Sequence, residues 1–137
     1  MQMNILIADD SPTAQASLGE LFQLEGFGTS STSSIDGLFA SLSDNTPDIL
    51  LLNLSLPGTG APAEVVQRVR DAIPDISIVA LADSRTLHAG LETMRSGADD
   101  VLPAPANPEQ ILAAIRHAYE HRQQERVLRS SREQIKR

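Results

Sequence analysis

Five short apolar runs alternate with five amphipathic helical segments along the chain of 137 residues. The third run, residues 49–54, is almost continuously aliphatic. Such a run is typical of a strand buried on both faces, and strands that alternate with helices form parallel sheets. Because crossover connections are right-handed, few topologies remain. The pattern predicts a doubly wound α/β sandwich whose five-stranded parallel sheet has the strand order 2-1-3-4-5.

The apolar periodicity and the turn residues set the expected bounds of each element. We expect strands at residues 5–9, 27–31, 49–54, 76–81 and 101–102. We expect helices from residue 12 to about Gly26, at residues 35–42, 63–72 and 86–96, and from Glu109 into the tail. The fourth helix carries Leu87, Leu91 and Met94 on one side. Five βα units in this order form a flavodoxin-like (βα)5 fold, with its crevice between strands one and three.

Composition and charge restrict the kinds of site and partner that the chain can have. The sequence contains no cysteine, which excludes disulfides, thiolate metal sites and cysteine nucleophiles. Residues 1–106 carry four basic and fourteen acidic side chains, a net charge of −10, whereas residues 107–137 carry seven basic and four acidic ones, a net charge of +3. An acidic body does not favour nucleic-acid binding by this domain. Since no apolar stretch approaches the roughly 20 residues of a membrane span, we expect no membrane partner and a cytoplasmic location.

Polar side chains follow the first and third strands. Asp9 and Asp10 end the first apolar run, and Asn53 ends the third. Open α/β sheets bind ligands in the crevice outside the carboxyl ends of their strands. The strand order therefore predicts that two carboxylates and one amide meet at the crevice.

Three sequence motifs carry a resemblance to a known family. They are Ile5-Leu-Ile-Ala-Asp-Asp-Ser-Pro12, Asp48-Ile-Leu-Leu-Leu-Asn-Leu-Ser-Leu-Pro-Gly58 and Gly97-Ala-Asp-Asp100, and Leu102-Pro-Ala-Pro-Ala-Asn-Pro-Glu109 follows the last of them. Each motif alone is weak, but together, at this spacing, residues 3–120 resemble a response-regulator receiver domain of the CheY-like kind. The resemblance implies the fold that the apolar pattern predicts.

The resemblance also implies a chemistry for which this chain lacks residues. In the family, a histidine kinase transfers a phosphoryl group to an aspartate, with help from Mg²⁺, a lysine and a hydroxyl, and an aromatic residue reports the state. The matching positions here are Asn53 for the acceptor, Ala104 for the lysine, Ala82 for the hydroxyl and Val101 for the aromatic residue. The only lysine is Lys136, in the tail. The resemblance thus implies a degenerate pseudo-receiver of two-component phosphorelay signalling, which is not an enzyme and is not phosphorylated at position 53.

The remaining acidic residues predict at most a weak cation site. Asp9, Asp10, Asn53 and the backbone carbonyl of Ser55 can offer oxygen atoms to Mg²⁺. Without the third carboxylate, the attraction falls by roughly 4 kcal/mol at about 4 Å and an effective dielectric constant of about 20. We expect no other cofactor. Asp83 is expected near the rim of the pocket, and no spacing in the sequence supplies a base for the Ser55 hydroxyl.

Two functions remain open at this point. In the first, residues 1–120 form a receiver-like domain that acts as a protein–protein interaction or dimerisation module, and residues 121–137 extend its last helix. Its partners are then a histidine kinase, an output domain or another signalling protein, or a second copy bound through helices four and five. In the alternative, the domain is a small flavodoxin-like enzyme or ligand-binding domain that uses the crevice between strands one and three. The absence of a glycine-rich phosphate loop does not favour the alternative.

Overall fold

The computed structural model describes residues 2–58 and 60–136, and within them five strands alternate with five helices. The strands are β1 Asn4–Ala8, β2 Gly28–Thr32, β3 Ile49–Asn53, β4 Ser77–Ala82 and β5 Asp100–Pro103. The helices are α1 Pro12–Leu24, α2 Ile35–Asp44, α3 Pro62–Ala72, α4 Leu87–Ser96 and α5 Pro108–Lys136. All ten predicted elements are present.

The strands form one parallel sheet in the order β2-β1-β3-β4-β5, which confirms the predicted flavodoxin-like (βα)5 fold. Successive residues of a strand face opposite sides. Leu50 and Leu52 therefore pack with α2 and α3 on one face, and Ile49 and Leu51 pack with α1 and α5 on the other. The register pairs Ala8 with Leu52, so the next residues of β1 and β3 leave the sheet side by side.

Helix α4 packs on the sheet through small residues and turns its large apolar side chains outward. Gly90 and Thr93 are buried, whereas Leu87, Leu91 and Met94 are 55%, 68% and 45% exposed. The apolar stripe that the sequence predicts on one side of this helix therefore faces away from the core. Its position follows from Gly90, which allows the helix backbone to approach the sheet closely.

Asp99, in the turn before β5, holds together three parts of the fold. Its carboxylate is 1% exposed and accepts hydrogen bonds from the Ile78 backbone N–H at 2.7 Å, from the Arg70 guanidinium at 3.1 Å and from the Arg122 guanidinium at 2.5 Å. Burial, followed by the nearby charge of Arg122, lowers the pKa of Arg70. The Asp99 carboxylate opposes this effect but does not cancel it, since the pKa of Arg70 stays below its ordinary value.

Helix α5 continues well beyond the part that packs on the sheet. Ile115 and Ala118 are buried against the sheet, and from Gln124 onward the described side chains are exposed. Arg129, in this extended part, pairs with Asp75 of the loop before β4. Within residues 2–58 and 60–136, no helix combines the length and the hydrophobicity required to cross a bilayer.

Candidate functional site

A cleft of about 530 Å³ opens at the carboxyl ends of β1, β3 and β4. The structure brings Asp9, Asp10 and Asn53 together in its wall, as the strand order predicts, and Ser55 and Asp83 also line it, as expected from the sequence. Asp10 is exposed, whereas Asp9 is buried with 5% of its surface accessible. The two neighbouring carboxylates thus have different surroundings: Asp9 is enclosed by protein, whereas Asp10 faces solvent.

Asp9 joins the start of α1 to the end of β3. Its Oδ1 atom accepts a hydrogen bond of 2.9 Å from the Ser11 backbone N–H, and its Oδ2 atom accepts one of 3.2 Å from the Asn53 Nδ2 amide. The Ser11 hydroxyl in turn caps α1 by accepting a bond from the Ala14 N–H. Both carboxylate oxygens of this buried residue therefore have donors, as burial of an ionised group requires.

The Asn53 side chain uses both ends of its amide. While Nδ2 donates to Asp9, the Oδ1 atom accepts a hydrogen bond of 2.9 Å from the Ser55 backbone N–H. The reverse orientation would place an oxygen against the Asp9 carboxylate and an NH₂ group against a backbone N–H, so these partners fix the amide orientation. An ionised carboxylate at position 53 has no hydrogen to give to Asp9. The site therefore matches the amide rather than the acid.

Ser55 links the end of β3 to the loop before α4. Its hydroxyl donates to Asp83 Oδ2 at 3.1 Å, and Asp83 Oδ1 accepts hydrogen bonds from the backbone N–H groups of Arg85 at 2.8 Å and Thr86 at 3.1 Å. The Arg85 backbone bond first, and then the Ser55 and Thr86 side-chain bonds, lower the pKa of Asp83 below its ordinary value of 3.8. The pKa of Asp83 is lower in the folded chain than in the unfolded chain. The stability that these bonds contribute is therefore fully present above the ordinary value of 3.8 and is lost as the pH falls through the lowered pKa.

The sequence placed Asp83 at the rim but missed its partner. Ser55 and Asp83 are 28 residues apart, so no local spacing connects them. Because Ser55 and Asp83 each follow one of the neighbouring strands β3 and β4, the strand order could have predicted that they lie close together. A lowered pKa makes Asp83 a weak base for the Ser55 hydroxyl, so this pair does not favour the alternative of an enzyme.

The other three family positions carry small or aliphatic side chains. Ala82 is buried at the end of β4, Ala104 lines the cleft, and Val101 lies partly buried on β5. A Cβ atom added at Gly90 of α4 would lie 3.1 Å from Val101 Cγ1 and 3.2 Å from Ala82 Cβ. The backbone of α4 therefore lies in close contact with Ala82 and Val101.

The carboxylates and the amide of the cleft are engaged mainly with one another and with backbone groups. Among the described residues, no cluster of three acidic or histidine side chains is positioned to hold a metal ion. Asn53 turns its NH₂ group, not its oxygen, toward Asp9, and its oxygen already accepts from Ser55. The weak Mg²⁺ site formed by Asp9, Asp10, Asn53 and Ser55 remains a prediction.

A second concave surface lies outside the cleft. We call it the α4–β5 groove: it measures about 540 Å³ and is formed mainly by Leu87, Leu91 and Met94 of α4 with Val101 and Pro103 of β5. The lining is predominantly apolar. Contiguous exposed apolar surface of this kind marks places where proteins bind other molecules.

Comparison with known proteins identifies the family. Residues 5–116 match the response regulator receiver domain. The chain belongs to this family. It is therefore a receiver domain of two-component signalling, and such domains interact with kinases and with output domains.

Particular relatives and structures are similar to this receiver domain. The DNA-binding response regulator MtrA of Mycolicibacterium smegmatis is 32% identical over 117 residues, which are 85% of this chain and 50% of that protein. MtrA of Mycobacterium leprae is 31% identical over the same length, 85% of this chain and 51% of that protein. The chain thus spans about half the length of the curated relatives it matches.

Solved structures show the same fold at lower identity. A CheY-like receiver domain from Methanospirillum hungatei superposes with a TM-score of 0.83 and 19% identity, over 91% of this chain and 99% of that one. NtrX from Brucella abortus superposes with a TM-score of 0.84 and 19% identity, over 95% of this chain and 29% of that one.

Proposed function

We propose that this receiver domain takes no phosphoryl group at position 53 and signals as a protein–protein interaction module. The observation that best supports the proposal is the Asn53 amide, which engages Asp9 and Ser55 through hydrogen bonds of 3.2 Å and 2.9 Å. The lone pair of an amide nitrogen is delocalised, so the group is a poor nucleophile for a phosphoryl group.

The groups that would stabilise a transferring phosphoryl group are also missing. Ala82 and Ala104 stand where the resemblance implies a hydroxyl and a lysine, and the only lysine of the sequence is Lys136. Positioned donors and cations supply most of the catalysis in phosphoryl transfer. An acidic side chain at position 53 alone would therefore restore little phosphorylation.

Intact-mass measurement after incubation with acetyl phosphate and Mg²⁺ tests this proposal. We expect the unsubstituted chain to gain no phosphoryl group, and the Asn53→Asp variant to gain little. A variant with Asn53→Asp, Ala82→Thr and Ala104→Lys together is the positive control, because it returns the acceptor, the hydroxyl and the lysine at once. Stoichiometric modification of the unsubstituted chain that peptide mapping places on residue 53 would overturn the proposal.

The chain's partners follow from the family and from the α4–β5 groove. We propose that a histidine kinase, an output domain or another signalling protein contacts this receiver domain in the cytoplasm, and that residues 121–137 extend it toward such a partner. Arg137, the last residue of that segment, lies outside the described residues. The curated relatives are named DNA-binding response regulators, and we propose that this acidic domain itself contacts no nucleic acid.

We further propose that a second copy can bind through α4 and α5. Leu91 lies in the α4–β5 groove and is 68% exposed. Leu24, at the end of α1, is 80% exposed and does not line that groove. Burying one leucine contributes about 1.5–3 kcal/mol, so Leu91→Glu should weaken a dimer by about tenfold or more, and the control Leu24→Glu should not. Analytical ultracentrifugation at rising concentration measures this. A monomeric unsubstituted chain at high micromolar concentration would exclude the homodimer, and equal behaviour of both variants would exclude this face.

A further inference from the structure

Hydrogen bonds form a continuous path from the start of α1 to the start of α4. The Ser11 N–H and the Asn53 amide both donate to Asp9, and the same Asn53 side chain accepts from the Ser55 N–H. The Ser55 hydroxyl then donates to Asp83. The path crosses the carboxyl ends of β1, β3 and β4 by way of one neutral amide and one hydroxyl.

We propose that the side chains of Asp9, Asn53, Ser55 and Asp83 form a tie, called here the cleft tie, that fixes the start of α4 without phosphorylation. The cleft tie thereby holds the outward apolar face of α4 in one position. This inference rests on the proposed function, because a phosphoryl group on residue 53 would displace the amide contacts from which the tie is built. It assigns to Ser55 and Asp83 a positioning role.

The last link of the cleft tie fastens Asp83 to α4. The first N–H groups of a helix have no partner within the helix, and the positive end of the helix dipole favours an anion there. Asp83 fills this need, because its carboxylate accepts from the Thr86 backbone N–H at 3.1 Å and from the Thr86 hydroxyl at 3.1 Å. The Thr86 hydroxyl also accepts from the Asp83 N–H at 2.8 Å. Asp83 is therefore bonded on both sides to Thr86, the N-cap residue that immediately precedes α4.

Ser55 is the link that joins Asp83 and Thr86 to the rest of the sheet. It belongs to the loop after β3, and its bond of 3.1 Å to Asp83 is the contact by which the cleft tie crosses to the loop before α4. The ionised state of Asp83 strengthens this bond, because a hydrogen bond to a charged acceptor is roughly twice as strong as a neutral one. Removing the Ser55 hydroxyl should therefore release the α4 end while leaving Asp9 and Asn53 in place.

The packing beneath α4 is consistent with a fixed helix. Gly90 brings the backbone of α4 onto Ala82 and Val101, so that an added Cβ atom would meet them at 3.2 Å and 3.1 Å. Interdigitated surfaces of this kind do not slide gradually. Close contact in the middle of the helix and the cleft tie at its start together leave α4 little freedom.

Hydrogen exchange of the amides of residues 85–90 tests the cleft tie, with Ser55→Val and Ser55→Thr as a matched pair. Valine and threonine have the same shape, but only threonine keeps the hydroxyl. We expect exchange in this segment to accelerate about tenfold in Ser55→Val, which loses the hydrogen bond to Asp83, and to remain near the original rate in Ser55→Thr. The amides of β1 serve as the internal reference for global stability. Asp83→Ala is a second variant, in which exchange should accelerate at least as much as in Ser55→Val, because it also removes the acceptor of the Arg85 and Thr86 N–H groups.

The outcomes separate this inference from the proposed function. Equal exchange rates in the valine and threonine variants, or acceleration that is the same in β1 as in residues 85–90, would overturn the cleft tie. Both measurements are made without any phosphoryl donor. Uptake of a phosphoryl group by the unsubstituted chain would overturn the proposed function even where the exchange result supports a tie in the unmodified chain.

Discussion

Replacing Asp99 by alanine is expected to lower the free energy of unfolding by about 3–5 kcal/mol, the range found when one partner of a buried ion pair is removed. Arg70 and Arg122, whose side chains are 13% and 16% exposed, would be left without the carboxylate that they share. The Ile78 N–H would lose its partner at 2.7 Å as well. Since Arg122 belongs to α5, the variant should also weaken the contact between that helix and the turn before β5.

Urea unfolding followed by circular dichroism measures this loss, and Asp100→Ala is the matched control. Asp100 is the neighbouring carboxylate, is only partly buried, and accepts a bond of 2.8 Å from the next N–H of its own strand. We expect the control to lose less than about 1 kcal/mol, as is typical of positions away from buried networks. Similar losses in the two variants would show that Asp99 does not hold the arginines as described.

The sheet could be predicted from the sequence because its signals are local. Continuous aliphatic runs such as residues 49–52 have few alternatives to a strand buried on both faces, and the order of strands follows from crossover handedness. The side-by-side position of Asp9 and Asn53 followed in turn, because β1 and β3 are neighbours in that order. The structure added the direction of the Asn53 amide, which depends on its two partners.

The orientation of α4 could not be predicted in the same way. A stripe of Leu87, Leu91 and Met94 has the spacing of a buried helix face, but these side chains are largely exposed. The helix instead buries Gly90 and Thr93. Tertiary packing at a glycine decides this orientation, and hydrophobic periodicity contains no information about it.

The polar contacts that matter most join residues far apart in the sequence. Arg70 and Arg122 lie 29 and 23 residues from Asp99, and Ser55 lies 28 residues from Asp83. Each pair depends on loop conformations and side-chain rotamers at the ends of strands. Motif spacing identified Asp99 as part of Gly97-Ala-Asp-Asp100, but it did not reveal the two arginines.

We propose that position 53 requires a neutral amide, and the stability of the Asn53→Asp variant tests this requirement. The substitution replaces the hydrogen that Asn53 gives to the buried Asp9 carboxylate by a second negative charge. We expect a loss of about 3 kcal/mol at neutral pH without divalent cations, from the lost charge-assisted bond and the like-charge repulsion. Because repulsion and burial raise the pKa of the new carboxyl, the loss should shrink as the pH falls.

Urea unfolding of this variant, with and without Mg²⁺ and beside the control Asn45→Asp, is the measurement. Asn45 is the exposed C-cap residue of α2, so its substitution should lower the free energy of unfolding by no more than about 1 kcal/mol. Mg²⁺ should restore most of the free energy of unfolding that the Asn53→Asp variant loses, because three carboxylates can then share one cation. An Asn53→Asp variant as stable as the unsubstituted chain in the absence of divalent cations would contradict the account.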